Sequence, residues 1–467
     1  MLIIRDAFRT VIDAGTELGE GTPTGPRDLR LTDVVLPDGD AATDSAGRRD
    51  AVRRDAADDE RTDDEQSDDA PTTLDASGCI VTPGLVNAHH HLLQSAFRTL
   101  PGTRGVAMHE WLPRMAAEYA AIGIDPELAR ASALVGVAEG LLDGVTTVAD
   151  HHLTWPAGSD DVGIARATAA AARELGGRLA FVRGSARDDP EQAAASADAI
   201  ADALVPDGPN GITADGLLQL AVGPAGVHSD SAETFRLLGE VASRRGLRRR
   251  TQANEQVDVA IALEKYGRRP IELLDEWGWL ADDVTLAHLC AVTDAEIALL
   301  AERGVTATHA PGCDLPMGWG IAPVAALLAA GVVVGLGTSG GGSNDAGHLL
   351  ADARLAMQVA PLVGPPIEAR RILSMATEGS SLGLGRPELG TLRPGSGADL
   401  CVWDVSGVAD AGVADPVAGL LWASPGRRPK HVVVGGRVVV RDYRLVDHDE
   451  HALAADLTTL LASRRAA

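Results

Sequence analysis

"GLVNAHHH" (84–91) is an apolar run that turns polar at its end and gives way to a helical stretch. The same grammar recurs along the chain. "GVTTVADHH" (144–152), "RLAFVRGS" (178–185), "LLQLAVGPAGVHS" (217–229) and "RRRTQANE" (248–255) end in small or polar residues. So do "VTLAHLC" (284–290), "VTATHAPGC" (305–313) and "VVVGLGTSG" (332–340). Segments of helical period separate them, such as "DPELARASALVGVAEGLLDG" (125–144) and "DSAETFRLLGEVASRRG" (230–246), with helix starts expected at Asp125–Pro126 and Ser229–Asp230. Eight strand–helix units over roughly 300 residues predict an α/β fold, a (β/α)8 TIM barrel over 81–386.

The two ends of the chain read differently. "GTLRPGSGADLCVWDVSG" (390–407) and "HVVVGGRVVVRDYRLV" (431–446) are short strands with turn signals and no helix expected between them. "LRLTDVVLP" (29–37) and the lead into residue 78 are of the same type. Residues 1–80 and 387–450 are therefore expected to join as a small β-sandwich domain, with 451–467 a C-terminal helix or tail. The aromatic-free run "GRRDAVRRDAADDERTDDEQSDDA" (47–70) reads as a charged, disordered loop.

Composition narrows the function. The chain has 467 residues, and its 41 Lys+Arg against 66 Asp+Glu give a formal net charge of −25. That balance argues against nucleic acid and against an anionic membrane surface as partners. Cys79, Cys290, Cys313 and Cys401 are scattered, without a CxxC pair. The N-terminus "MLIIRDAFRTVIDAG" has no basic region followed by a long apolar segment. A cytoplasmic enzyme acting on a small molecule is the expectation.

In a barrel, chemistry sits where the strands end. In an extended run, residues i and i+2 face the same way, so His89 and His91 can point together at one cation. Glu255 and His288 close the fifth and sixth runs and suit general acid–base work beside a metal-bound water. His309 lies in the seventh run. Asp150, His151 and His152 end the second run as substrate contacts or orienting groups, with a structural role equally open. Gln94 and Trp111, on the loop after the first run, are candidate substrate contacts, and Trp155 and Trp319 are candidates for stacking a flat ring. "GGG" (340–342) lacks the Lys and the spacing of a phosphate loop.

"VTPGLVNAHHHLLQS" (81–95) resembles the first-strand signature of the amidohydrolase superfamily, in the branch of the 8-oxoguanine, hydroxyatrazine-type, triazine and pterin aminohydrolases. "DGVTTVADHHLTWP" (143–156), "ALEKYGRRPIELLDEWGWL" (262–280), "THAPGCDLPMGWGIAPV" (308–324), "GSNDAGHLLADARLAM" (342–357) and "GTLRPGSGADLCVWD" (390–404) resemble the same branch. The resemblance implies one divalent metal, usually zinc, activating a water that attacks an amino- or halogen-bearing ring carbon of a nitrogen heterocycle. It implies metal ligands at His89 and His91, a proton shuttle at Glu255, and a group at His288 that polarises the attacked atom or orients the water. It also implies a homo-oligomer.

The chain departs from the pattern at two ligand positions. Gln252 stands where a fifth-strand His is expected, and Ser339 where an eighth-strand Asp is expected. A seventh-strand Ser-Asn pair is replaced by Cys313 and Asp314. Neutral amide and hydroxyl groups are poor zinc ligands. Three outcomes stay open. In the first, His288 serves as the third ligand of a shifted three-His site that still deaminates by hydrolysis. In the second, Glu255 and His288 run a metal-free lyase, isomerase or rearrangement step. Or the protein is a catalytically inactive binding homologue. Hydrolytic deamination is the leading expectation.

Overall fold

The computed structural model describes residues 72–466 and, before them, the strands Leu2–Arg5, Arg9–Asp13, Thr16–Gly19 and Leu29–Arg30 and the bridging Ala7. The charged run 47–70 lies outside the described residues.

Strands covered on both faces need apolar side chains on both. The barrel strands are covered in this way: β1 (Leu85–His91), β2 (Val145–His152), β3 (Arg178–Ser185) and β4 (Leu218–Pro224) are buried along their whole length. β5 (Arg248–Ala253), β6 (Val284–His288), β7 (Thr306–His309) and β8 (Val334–Leu336) complete the set. Every neighbouring pair is parallel. Just past β8, Ser339–Gly340 pairs with His90 and His91 of β1 and closes the ring. The fold is thus a TIM barrel.

Gly337 shows why that closure needs glycine. A Cβ there would lie 2.8 Å from the backbone N and O of His89.

The helices begin and end on conventional signals. Asp125 caps Pro126–Leu142 by accepting from the Leu128 N–H, with Pro126 at the first helical position. The helix expected from Ser229–Asp230 starts later, at Ala232, and Ser231 caps it through the Thr234 N–H. Asp230 is diverted because its carboxylate accepts from the hydroxyls of Ser185 (2.6 Å) and Ser229 (2.5 Å).

Strands from both chain ends form the small β domain. A seven-stranded sheet runs in the order Arg444–Leu445, Arg437–Arg441, His431–Val434, Leu400–Asp404, Cys79–Pro83, Arg9–Asp13, Thr16–Gly19. A three-stranded sheet holds Leu29–Arg30, Leu2–Arg5 and Thr72–Asp75. The region after 386 is not helix-free, because Pro416–Trp422 is a helix capped by Asp415. The "DP" pair that starts it is the same signal as at 125–126.

The buried pair Arg178–Asp399 bolts the start of β3 to this domain at 2.8 Å. The C-terminal helix Glu450–Ala466 is tied back through Arg464 to Asp125 and Glu127. Among the described residues no helix is long and apolar enough to cross a membrane.

Candidate active site

The C-terminal ends of the barrel strands open into a cavity of about 620 Å³. Its wall is apolar and aromatic, with Trp111, Trp155, Trp319, Met115 and Met317, and its closed end is polar, with His91, Gln252, Glu255 and Ser339.

β1 delivers its histidines as strand alternation requires. The rings of His89 and His91 lie edge to face, centroids 4.9 Å apart. The Nδ1–H of His91 donates to the His151 carbonyl at 2.6 Å, which leaves the lone pair on Nε2. The Nε2 of His89 is buried without a hydrogen-bond partner among the described residues. Burial holds both rings below the ordinary histidine value, His91 at about 4. Both are therefore neutral near pH 7 and can offer electron pairs.

β6 ends on His288, whose ring centroid is 5.2 Å from that of His89. Its Nδ1–H donates to Asp314 at 2.6 Å, and its Nε2–H to the Gln252 amide oxygen at 3.0 Å. The same Nε2 lies 3.5 Å from Glu255 Oε1. Burial opposes charge on His288, but the Asp314 carboxylate beside it outweighs burial and raises the imidazole. Burial likewise opposes ionisation of Asp314, and the His288 charge and hydrogen bond outweigh it and hold the carboxyl low.

Glu255 is 1% exposed, and neither carboxyl oxygen has a hydrogen-bond partner among the described residues. Burial pushes it up to about 8, with the charges of Asp258 and Asp314 adding to the shift against the pull of His288. It therefore carries its proton at neutral pH.

The backbone beneath these groups is buckled. Asn254, Gln256, His288, Leu289 and Ser339 have φ of 55°, 68°, 78°, 60° and 56°. Left-handed non-glycine residues cost energy and persist where tertiary contacts hold them. Here the holding bonds are Leu289 N–H to Ala253 O (3.0 Å), Ala291 N–H to Asn254 O (2.9 Å) and Asn254 N–H to Asp258 (2.7 Å).

The uncharged mouth after β8 has a structural use. Thr338 receives the Asn87 amide at 2.8 Å and bonds His90 Nδ1 at 2.9 Å. A Cβ on Gly340 would collide with the Gln94 amide, so the triple glycine is a close-packing device.

Gln94, Trp111, His152 and Trp155 all line the cavity, yet their polar atoms serve the walls. Gln94 accepts from the Gly342 N–H (3.0 Å), and Trp111 donates to the Gly342 carbonyl (3.1 Å). His152 donates to Thr154 O (3.1 Å) and Trp155 to Gly184 O (2.8 Å). What they offer a ligand is ring face and amide edge. His309 Nδ1 lies 3.6 Å from Asp314.

Two site groups escaped the sequence reading. Asp314 stood out as an altered motif, but nothing local pairs it with a histidine 26 residues away. Arg250 shares a face of β5 with Gln252 one step deeper, and its guanidinium donates to the Ala88 carbonyl. It has no acidic partner among the described residues, and its charge bears on His89 and His151.

The Amidohydrolase family model matches residues 80–439. The chain is 34% identical over 405 residues to 8-oxoguanine deaminase of Pseudomonas aeruginosa, covering 84% of this chain and 88% of that one. It is 32% identical over 399 residues to 5-methylthioadenosine/S-adenosylhomocysteine deaminase of Halobacterium salinarum, covering 84% and 89%. The crystal structure of atrazine chlorohydrolase TrzN from Arthrobacter aurescens, complexed with zinc, matches with a TM-score of 0.83 and 32% identity over 99% of this chain and all of that one.

Proposed function

Because this chain belongs to the amidohydrolase family, we propose that it hydrolyses the bond between an amino group and a ring carbon of a nitrogen heterocycle. Water oxygen bonds to the carbon, the carbon–nitrogen bond breaks, and ammonia leaves. The strongest support is a convergence at the closed end of an aromatic cavity. Both oxygens of Glu255, which lines that end, and Nε2 of His89, whose ring packs on the lining His91, are buried without hydrogen-bond partners among the described residues. An unpaired buried polar group costs about 1–3 kcal/mol, so several in one place are accounted for by a ligand that completes them.

One divalent ion, zinc, would be held by His89 and His91; His288 would complete the set only by releasing the Gln252 amide oxygen from its Nε2, since among the described residues the donor atoms already gathered are those of His288, Cys313 and Asp314. The rings of His91 and His288 stand 4.9 and 5.2 Å from that of His89. Such an ion supplies the Lewis acidity that activates water at neutral pH. Glu255 moves protons: a cation bound beside it would favour its ionised form, in which its Oε1, close to His288 Nε2, takes a proton from the attacking water and returns it to the departing nitrogen. Trp111, Trp155 and Trp319 flank the flat ring and exclude water. The deaminases of purine-type rings among the relatives and the zinc in the triazine enzyme support the substrate class and the metal.

The proposal includes a cytoplasmic homo-oligomer without nucleic-acid or membrane partners, supported on the last point by the net charge of −25. It also keeps the domain division 1–80 with 387–450, 81–386, and 451–467.

The test is metal content by plasma mass spectrometry on protein purified without a metal-affinity tag, together with ammonia release from 8-oxoguanine, 5-methylthioadenosine and isoxanthopterin. About one zinc per chain is expected, with turnover of at least one compound that a chelator abolishes and added zinc restores. Protein with no zinc uptake and no ammonia release would overturn the proposal.

Acid–base chemistry without metal is favoured by one observation, the fixed charge of Arg250 beneath His89 with only neutral Gln252 and Ser339 at the adjacent strand ends. Glu255 and His288 would then serve a lyase, isomerase or rearrangement step, and turnover by zinc-free protein is its signature.

Restoring both ligands, Gln252→His with Ser339→Asp, is expected to tighten zinc binding about tenfold or more in a chelator competition. Asp tolerates the left-handed backbone at 339. Unchanged affinity would place the ion away from these two strand ends.

A further inference from the structure

Part of the cavity wall is a helix rather than a strand end. Helix Met108–Ile122 lines the cavity with Met108, Trp111, Leu112, Met115 and Tyr119, a stripe at helical spacing. Glycines of positive φ bound it, Gly105 at 67° and Gly123 at 76°, with no described atom within 4 Å of where a Cβ would stand. Each glycine adjoins an anchor. Before Gly105, Arg104 donates to Asp345 and to the Gly342 carbonyl, both at 2.8 Å. After Gly123, Asp125 caps the next helix and accepts from Arg464 at 2.9 Å. Between the anchors, the Trp111 indole donates to the Gly342 carbonyl at 3.1 Å, the Tyr119 hydroxyl meets Gln94, and exposed Arg114 reaches back to the Gly102 carbonyl. The end of the chain holds the helix from behind. Leu457, Leu460 and Leu461 of the C-terminal helix share one apolar cluster with Met108, Trp111, Met115 and Ile122. Arg464, in its last turn, donates to the Gly123 carbonyl (2.9 Å) as well as to Asp125 and Glu127, so one cation spans the second glycine.

We propose that helix Met108–Ile122 is a lid that swings about Gly105 and Gly123 to admit substrate, and that the C-terminal helix Glu450–Ala466 is the strap that holds it closed through Arg464 and its leucines. The inference concerns access to the cavity and stands whatever reaction the closed end performs. At that end Glu255 is 1% and Gln252 9% exposed, so a flat ring reaches them only when part of the wall yields. The barrel strands are fixed by neighbours all round the ring. The helix keeps its backbone hydrogen bonds internal, so it can move as a unit, and lid motions of this kind take microseconds to milliseconds. The polar part of the strap lies near the surface, Arg464 15% exposed against 71% for Glu127. An ion pair so placed is weak enough to release, and salt weakens it further.

Fluorine NMR of the full chain labelled with 5-fluorotryptophan tests this, with the Trp111 and Trp403 resonances assigned by Trp111→Phe and Trp403→Phe. Relaxation dispersion is expected to show millisecond exchange at Trp111, on the lid, and none at Trp403, buried in the β domain. Arg464→Ala is expected to raise the open population about 3- to 10-fold at Trp111, and Leu457→Ala to raise it further, while Trp403 stays unchanged in both. Peroxide oxidation gives a second measure on two methionines that are each 1% exposed. Met115, on the lid, is expected to oxidise faster in both variants, and Met375, in the barrel core, at the wild-type rate. No exchange at Trp111 in the unmutated chain and both variants, with Met115 oxidation unchanged, overturns the lid. Exchange at Trp111 that neither variant alters overturns the strap. A rise at Trp111 and Trp403 together is general loosening of the fold and overturns the inference as well.

Discussion

Glu255→Gln is expected to lower turnover by about 10²–10⁴-fold while zinc content stays at the wild-type level. The amide matches the carboxyl in shape but cannot take a proton from water or return one to the leaving nitrogen. Glu255 is not among the proposed ligands, so the ion should remain. Stability should move the other way. Burial raises the Glu255 carboxyl from 4.5 to about 8 in the folded chain. A carboxyl raised on folding favours the fold while protonated, so its contribution is lost as pH rises from about 4.5 through 8. Zinc-free Glu255→Gln should therefore gain stability over zinc-free wild type across that window in urea unfolding. Near wild-type turnover in the variant would remove Glu255 from the proton path. A loss of turnover together with a loss of zinc would make it a ligand instead.

Arg178→Met is expected to cost about 3–5 kcal/mol of unfolding free energy. Arg178 meets Asp399 through two hydrogen bonds of 2.8 and 2.9 Å and also donates to the carbonyls of Gly216 and Gly397. The two side chains are 6% and 3% exposed. Removing the guanidinium leaves a buried carboxylate with the Gly435 N–H at 2.7 Å as its remaining donor. The loss should shrink in Arg178→Met with Asp399→Asn, since the stranded charge is then gone. A denaturant midpoint within about 0.5 kcal/mol of wild type in the single variant would mean that the barrel and the β domain do not depend on this bolt.

The barrel was legible because its signals are local. A strand covered on both faces must be apolar along its length, and a capping Asp before Pro marks a helix wherever it occurs. Side-chain alternation in β1 is equally local, so the shared direction of His89 and His91 follows from their spacing. The same locality explains the errors. Ser229–Asp230 looked like a cap until Ser185, far off in sequence, claimed the Asp230 carboxylate. Helix Pro416–Trp422 is only seven residues long and sits between strands whose pattern dominates the segment.

What the sequence by itself determined is therefore the repeating strand–helix unit, the strand ends that bear chemistry, and the two positions where Gln252 and Ser339 stand in place of stronger ligands. Tertiary structure alone decided how those ends combine: Ser339–Gly340 closing onto β1, Gly342 held by Gln94 across 248 residues, Asp314 behind His288, and Arg250 beneath His89. The physical reason is range. Backbone preference and periodicity act over a turn or a strand, whereas a carboxylate orients an imidazole, and one charge shifts another, only after the chain has brought them within a few ångströms in a site that excludes water.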